Sequence, residues 1–327
     1  MNVIFSKDIS ELKGLLQSCG KVFIVYDSLA AHIAEFADFP KMAVEASEKG
    51  KNIDIVLKIC KWLLEEGADR DCLLLAVGGG IVCDMAGFAA SIYKRGIRFA
   101  CFPTTLLAMA DAAIGGKNGV NFEGYKNMLG CFREPEFTFE CPKVLESLPE
   151  REFRCGIAEI LKAAVISDDW MFYDSAVELF SENTKDKIMA SEALLGELSG
   201  CIKKAVELKI AIVGKDFLDK GERRKLNLGH TFAHAIESVA AQKGDDIKHG
   251  EAVAMGIVLA AQMALEKGLC EDDFVEMIRM DFEDCGLPVI CPYDMEELSA
   301  AIEKDKKSSE GEVHFVLPCD LGDVRIL

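Results

Sequence analysis

The spacing of apolar positions changes character part-way along this chain. Up to about residue 140, short apolar runs alternate with helically spaced ones. Residues 22–26 (VFIVY) form a β-prone run that ends at Asp27, and Ile53, Val56, Leu57, Cys60, Leu63 and Leu64 recur at helical intervals through Glu66. Residues 73–77 are a further apolar run that stops at Gly78-Gly79-Gly80; a helical stretch, 81–93, follows, then the run 99–102, closed by Pro103. Short apolar strands alternating with helices predict a parallel α/β sheet.

From residue 150 to 287 there is no proline and amphipathic spacing takes over. It predicts helices over 157–166, 189–213, 229–240 and 250–267. The boundary is expected within residues 142–149, giving an α/β domain over 1–145 and an all-α domain over 146–327. The tail reads as a polar loop, 304–312, followed by an extended piece, 313–317. There is no internal repeat and no low-complexity segment.

Bulk properties narrow the function classes. A length of 327 residues suits two domains, and 50% hydrophobic with 28% charged residues is ordinary for a globular protein. The net charge of -18 argues against nucleic acid and anionic membrane surfaces as partners, since both are polyanions. A small anion remains admissible, because a local set of Lys and Arg can oppose the global sign. The 13 cysteines are odd in number, contain no CxxC pair and follow no secretory-type leader, so reduced thiols and a cytoplasmic location are expected. No apolar stretch reaches the roughly 18 residues of a membrane span.

Four stretches carry candidate chemistry. In LLLAVGGGIVCDMAGF (73–88) an apolar strand meets three glycines and then a helix, with Asp84 expected in its first turn. Glycines there let backbone N–H groups approach a pyrophosphate, although the spacing is not GxGxxG. In residues 103–130, Gly115, Gly116 and Gly119 surround Lys117, with Asp111 before them and Lys126-Asn127 after; glycine-flanked lysines suit anion contact. In GIAEILK (156–162), Glu159 and Lys162 share a helical face and, taken alone, read as a surface ion pair. The charged run 216–230 leads into a histidine cluster, with Asn227 and His230 expected on one face.

That cluster holds His230, His234 and His249, three of the five histidines of the chain. His230 and His234 are four apart, and a helical hairpin around the polar break at 242–248 would bring His249 to them. Spacing alone puts a metal ion on the His230/His234 pair; Glu159 then offers an oxygen ligand beside two imidazoles and an open position.

In this order, GGGIVCDMAGF, YKRG, PTTLLAMADAAIGGKNGVN, KNMLG, LPERE, GIAEILK, LNLGHTFAHAIE and HGEAVAMG resemble the 3-dehydroquinate synthase family of sugar phosphate cyclases over nearly the whole chain. The resemblance implies an NAD-binding α/β domain followed by an all-helical domain, an active site in the cleft, and a homodimer. It implies a phosphate-eliminating carbon–oxygen lyase of the shikimate pathway, acting on 3-deoxy-D-arabino-heptulosonate 7-phosphate by transient oxidation with NAD, phosphate elimination, re-reduction and aldol closure. Glu159, His230 and His249 match the ligands of a divalent metal, zinc or cobalt, while His234 matches a histidine on the substrate side. Asp111 and Lys162 match residues around the reacting carbons, and Lys117, Asn127 and Asn227 match substrate and phosphate contacts. Arg95 matches an arginine reaching the phosphate from the partner subunit. Lys209 and Arg223, with Lys306 of the 305–307 segment, match the carboxylate-binding set. The NAD positions matched are Asp27, Glu48, Lys51, Gly79, Gly80, Asp84, Thr104, Thr105, Lys126 and Ser147.

The chain also departs from that family. Ala112 and Ala113 stand where it has serines, Cys83 where it has glycine, Ser147 where it has threonine, and Asp219 where it has glutamate. The proline and glycine that usually precede Glu48 are missing. These departures bear on the adenosine end of the NAD site more than on the metal centre. Related cyclases acting on substrates without a carboxylate would not keep Lys209, Arg223, Asn227 and Lys306. A metal-dependent polyol dehydrogenase would lack GIAEILK and the lysine-rich segment, and a decayed binding protein would have lost several of these polar positions.

Overall fold

Strands covered by helices on both faces have no polar face to keep, which is why the apolar runs of the first half carry no alternation. In chain order, residues Met1–Leu148 hold β1 (Val3–Phe5), α1 (Ser10–Gln17), β2 (Val22–Asp27), β3 (Lys41–Val44), α2 (Ile53–Glu65), β4 (Leu73–Gly78), α3 (Gly80–Ile92), β5 (Arg98–Pro103), β6 (Lys117–Phe122), β7 (Tyr125–Phe132) and β8 (Thr138–Glu140). Six strands form one sheet in the order β1-β8-β5-β4-β2-β3, with every pairing parallel. The central strand β4 is buried throughout and pairs with β2 on one side and β5 on the other. Alternate residues feed two cores: Phe23, Val25, Leu74, Ala76 and Phe99 pack with α2 and α3, while Ile24, Leu73, Leu75, Ala100 and Phe102 pack with α1.

The glycine-rich stretch after β5, to which the sequence assigned no element, forms an antiparallel hairpin, β6–β7. It docks on α3 at Gly87, where an added Cβ would lie 1.8 Å from Asn118 Oδ1. The predicted helix at 81–93 starts at Gly80, so Asp84 sits beyond the first turn rather than in it.

The computed structural model describes residues 1–309 and 314–327, and side chains outside 305–313. Its second unit, Pro149–Leu327, contains α4 (Glu150–Ile166), α5 (Trp170–Glu182), α6 (Lys185–Ala190), α7 (Glu192–Lys215), α8 (His230–Lys243), α9 (His249–Glu266), α10 (Asp272–Asp284), α11 (Met295–Ser309), β9 (Val316–Asp320) and β10 (Asp323–Ile326). It is largely helical, but not all-α, because β9 and β10 pair as a hairpin. The helix expected over 189–213 is two: Ser191 interrupts it, and its hydroxyl caps α7 by accepting from the Leu194 N–H. The polar segment expected as a loop from 304 runs as helix to Ser309, and the extended piece begins at Val316. Among the described residues, no helix is long and apolar enough to cross a membrane.

Helix α4 is buried continuously from Cys155 to Ile166, as expected of the central helix of a bundle. Glu159 and Lys162 are carried inside with it, so they are not the surface pair that spacing alone suggests.

Candidate metal centre and flanking polar residues

Three helices of the second unit converge because glycines let their backbones touch. Gly229, at φ 76°, turns the chain from a 3-10 helix (Glu222–Asn227) into α8. Its carbonyl lies against α9 at Gly256, where an added Cβ would be 2.3 Å from it. Gly250, next to His249, faces α4 so closely that a Cβ would sit 2.3 Å from Cys155 Cα. Ligand atoms of Glu159 from α4, His230 from α8 and His249 from α9 consequently lie within 4.8 Å of one another. The Nε2 atoms of His249 and His230 are 3.5 and 3.8 Å from Glu159 Oε1.

Second contacts orient both rings. His230 Nδ1 lies 3.1 Å from the Leu228 carbonyl and His249 Nδ1 3.3 Å from Glu237 Oε1. Those oxygens only accept, so each Nδ1 carries a proton and each Nε2 is turned toward Glu159. Burial pushes the His230 pKa down to about 3, with the nearby Lys162 ammonium adding to the effect. Burial acts the same way on His249, but the Glu159 and Glu237 carboxylates outweigh it and lift its pKa to about 9. Glu159 is opposed by burial yet is held well below the usual carboxylate range by Lys162 and the two imidazoles.

The three residues fit a divalent ion. Both Glu159 oxygens are buried without a hydrogen-bond partner of normal geometry, although Lys162 Nζ pairs with Oε2. The donor set is one carboxylate and two imidazoles, and the two carboxylate–imidazole separations, 3.5 and 3.8 Å, are near the roughly 3.4 Å edge of a tetrahedron with 2.0–2.1 Å bonds. His234 stacks edge-on against His230, with ring centroids 5.8 Å apart, and lies outside the three-residue group.

The charged run before α8 is not simply a solvated face. Arg223 is buried; its N–H donates to Asp216 Oδ2 at 3.1 Å and its Nη1 to the Phe217 carbonyl at 2.6 Å. Lys209, on α7, is buried as well. Asn227 closes the 3-10 helix and is separated from His230 by the left-handed Gly229, so the two do not share one helical face. The Lys306 side chain lies outside the described residues.

In the first unit, Gly79 caps α3 and Gly80 opens it, at the C-terminal end of β4. Thr104 donates its N–H to the Gly78 carbonyl at 2.9 Å, and the Thr105 methyl would lie 3.1 Å from a Cβ at Gly79. A Cβ at Gly80 would meet the Ala112 methyl at 2.8 Å, leaving little room for a larger side chain at either position. Asp27 ends β2, and its carboxylate accepts from the Leu29 N–H at 3.0 Å. A cavity of about 530 Å³ opens beside it, lined by Ser28, Leu29, Ala43, Val44, Glu45 and Ala46.

Lys51 is buried, and its Nζ is 2.6 Å from both Asp84 Oδ2 and Asn127 Oδ1. Asp111 sits in a widened turn (Ala108–Ala112) in which the Ala113 N–H reaches the Ala108 carbonyl, a local feature often found at functional sites. Lys117 opens β6, and Lys126 lies on β7. Arg95 is exposed at φ 69° beyond the far end of α3, so it stands apart from the glycine turn. The Ser147 hydroxyl lies 3.0 Å from His32 Nε2 and donates to the Val144 carbonyl at 3.2 Å.

Comparison with known proteins agrees with this layout. The family descriptions "3-dehydroquinate synthase N-terminal" and "3-dehydroquinate synthase C-terminal" match residues 41–155 and 156–308. The chain belongs to the 3-dehydroquinate synthase family. A 3-dehydroquinate synthase from Prochlorococcus marinus (strain NATL1A) is 41% identical over 294 residues, covering 88% of this chain and 76% of the relative. Among solved structures, 2-epi-5-epi-valiolone synthase from Streptomyces hygroscopicus subsp. jinggangensis, with NAD+ and Zn2+ bound, matches at a TM-score of 0.87 and 27% identity, covering 100% of this chain and 92% of that one. A 2-deoxy-scyllo-inosose synthase at 24% identity and a TM-score of 0.82, covering 99% and 91%, shares the fold.

Three polar residues not singled out in the sequence, Glu237, Asn121 and His32, touch residues assigned above. Glu237 is three residues after His234 on α8, a periodicity that would have found it. Asn121 lies far in sequence from Glu48, and His32 from Ser147, and neither pairing carries a local signal.

Proposed function

We propose that this chain converts 3-deoxy-D-arabino-heptulosonate 7-phosphate to 3-dehydroquinate and phosphate, using NAD and a divalent metal ion. The observation that carries the reading is the convergence of Glu159, His230 and His249 in a chain matched by both halves of the family. Residues 1–145 are assigned to NAD, and residues 146–327 to the metal and substrate.

A zinc or cobalt ion on Glu159, His230 and His249 supplies Lewis acidity that eases loss of a hydroxyl proton. NAD supplies a hydride acceptor that is regenerated within the cycle. This chain's own groups do the rest. Glu237 and the Leu228 carbonyl hold the two imidazoles in the tautomer that ligates. Lys162 keeps Glu159 ionised, and with Asp111 it is assigned to proton movement at the reacting carbons. Lys209, Arg223 and Lys306 are assigned to the substrate carboxylate. Asn127, Lys117, Asn227 and His234 are assigned to the substrate and its phosphate. Buried cations such as Arg223 and Lys209 suit this task, because low surrounding dielectric strengthens their pull on an anion.

Asp27, Glu48, Lys51, Gly79, Gly80, Asp84, Thr104, Thr105, Lys126 and Ser147 are assigned to NAD. The glycine turn offers backbone N–H groups at a helix N-terminus to the pyrophosphate. Exposed Arg95 is assigned to the partner's phosphate site in a homodimer. A cytoplasmic location accords with thirteen free cysteines.

The test is phosphate release and carbocycle formation from the heptulosonate phosphate, with and without a chelator. Turnover that the chelator abolishes is the expected result. Cyclisation of a carboxylate-free sugar phosphate in its place would assign the chain to another cyclase activity, and net NADH formation from a polyol would assign it to a dehydrogenase.

A further inference from the structure

The NAD-side and substrate-side residues of the first unit meet at a side chain with no role assigned so far. Asn121 lies on β6, and its backbone N–H donates to the Lys51 carbonyl at 2.9 Å, tying the strand to the segment that carries Glu48 and Lys51. Its carboxamide Nδ2 donates to the Glu48 backbone oxygen at 3.2 Å and to Glu48 Oε2 at 2.8 Å. Its Oδ1 accepts from the Asn127 N–H at 2.9 Å. An N–H only donates, and carbonyl and carboxylate oxygens only accept, so these partners fix which way round the carboxamide sits.

That contact bears on how Asn127 is set. Its φ is 52°, in the left-handed region that asparagine enters more readily than most non-glycine residues. In that conformation its own Oδ1 receives Lys51 Nζ, which also pairs with Asp84. One chain of contacts thus runs Glu48–Asn121–Asn127–Lys51–Asp84.

We propose that Asn121 is a positioning residue, whose single carboxamide sets Glu48 for NAD and Asn127 for the sugar phosphate. The proposal rests on the assignment above of Glu48 to cofactor and Asn127 to substrate. Its two arms are chemically separable. Asn121→Asp keeps an acceptor for the Asn127 N–H but presents Glu48 with a second carboxylate in place of N–H donors. Asn121→Ala removes both arms.

The experiment uses the metal-loaded full chain, with NAD titrated by calorimetry and initial rates measured against the heptulosonate phosphate. Asn121→Ala is expected to raise both the NAD Kd and the substrate KM by about five- to tenfold, the effect of one hydrogen bond on each side. Asn121→Asp is expected to raise the NAD Kd at least as much, while KM stays within about twofold of the parent. A general structural role would move both constants together in both variants. Parallel shifts in Asn121→Asp, or unchanged constants in Asn121→Ala, overturn the proposal. Glu48→Gln and Asn127→Ala are run alongside. If they raise the NAD Kd and KM respectively while the Asn121 variants change nothing, the positioning role fails and the assignment stands. If they leave both constants unmoved, the assignment fails and the proposal falls with it.

Discussion

Replacing Gly250 by alanine tests whether the backbone approach of α9 to α4 sets the metal centre. The new methyl would lie 2.3 Å from Cys155 Cα and 2.5 Å from its carbonyl oxygen, against an ordinary contact of at least 3.4 Å. The opposing atoms are backbone, so no rotamer change relieves the overlap, and α9 must retreat by about 1 Å. Overpacking of this kind costs about 3 kcal/mol, and the better helix propensity of alanine returns about 1 kcal/mol of it. The net loss, about 2 kcal/mol, corresponds to a fall in Tm of about 4–8 °C for a unit of this size. His249 is the neighbouring residue, and metal sites tolerate ligand shifts of only about 0.2 Å, so metal affinity should drop at least about tenfold. Gly200→Ala is the control. Gly200 lies in the interior of α7 with nothing within 4 Å of an added Cβ, so this change should raise Tm by about 2–4 °C and leave the metal alone. Thermal unfolding and metal titration read both outcomes. A Gly250→Ala variant that binds metal with parental affinity and matches Gly200→Ala in Tm refutes the reasoning.

Other expectations are as direct. Glu237→Gln weakens the acceptor that orients His249 and should lower metal affinity by about 10–100-fold in a competition titration; an unchanged affinity would remove Glu237 from the site. His249→Ala should abolish metal binding while far-UV circular dichroism stays parental, and retained stoichiometry refutes its place as a ligand. Chelation should lower Tm and zinc should restore it, because an ion bound only by the folded state stabilises it; a Tm indifferent to both argues against a metal there. Glu140 is fully buried with neither carboxylate oxygen partnered, and burial, then the nearby Cys83 thiol, raises its pKa well above the usual value. The unfolded chain loses that proton above about pH 4.5 while the folded one keeps it, so its contribution to stability falls as pH rises, by about 1.4 kcal/mol per unit. Glu140→Gln removes that slope, and denaturant melts should show its advantage over the parent growing from pH 5 to pH 7; equal advantage at both contradicts the linkage.

Elements with one dominant periodicity were legible in the sequence. The buried strands β2, β4 and β5 stand out because nothing polar interrupts them, and the glycine turn after β4 marks where strand gives way to helix. The histidines could be placed on two antiparallel helices from spacing and the break between them. What was hidden depends on contacts distant in sequence. The β6–β7 hairpin is built from KNGVNF and YKNMLGCF, whose glycines and asparagines have poor strand propensity, and it forms because β6 packs on α3. Glu159 and Lys162 read as a surface pair because i,i+3 spacing says nothing about what covers the face. Ser191 broke a predicted helix that apolar periodicity alone would have carried through, since a cap needs one hydroxyl and leaves the pattern intact. Asn227 kept helical spacing to His230 on paper, but the left-handed Gly229 between them rotates the chain.

The buried ammonium of Lys162 also sets the denticity of the proposed metal ligand. It engages Glu159 Oε2, whereas both imidazoles face Oε1. Glu159 would then have one oxygen to give, and the three residues would supply three donor atoms. Calcium, which takes six to eight oxygen ligands, is undersupplied by such a set, while a small ion content with four or five is not. The places left over would be open to oxygen donors of the substrate proposed above. A lysine that spacing assigned to a surface ion pair would thereby bear on which ion the proposed site accepts.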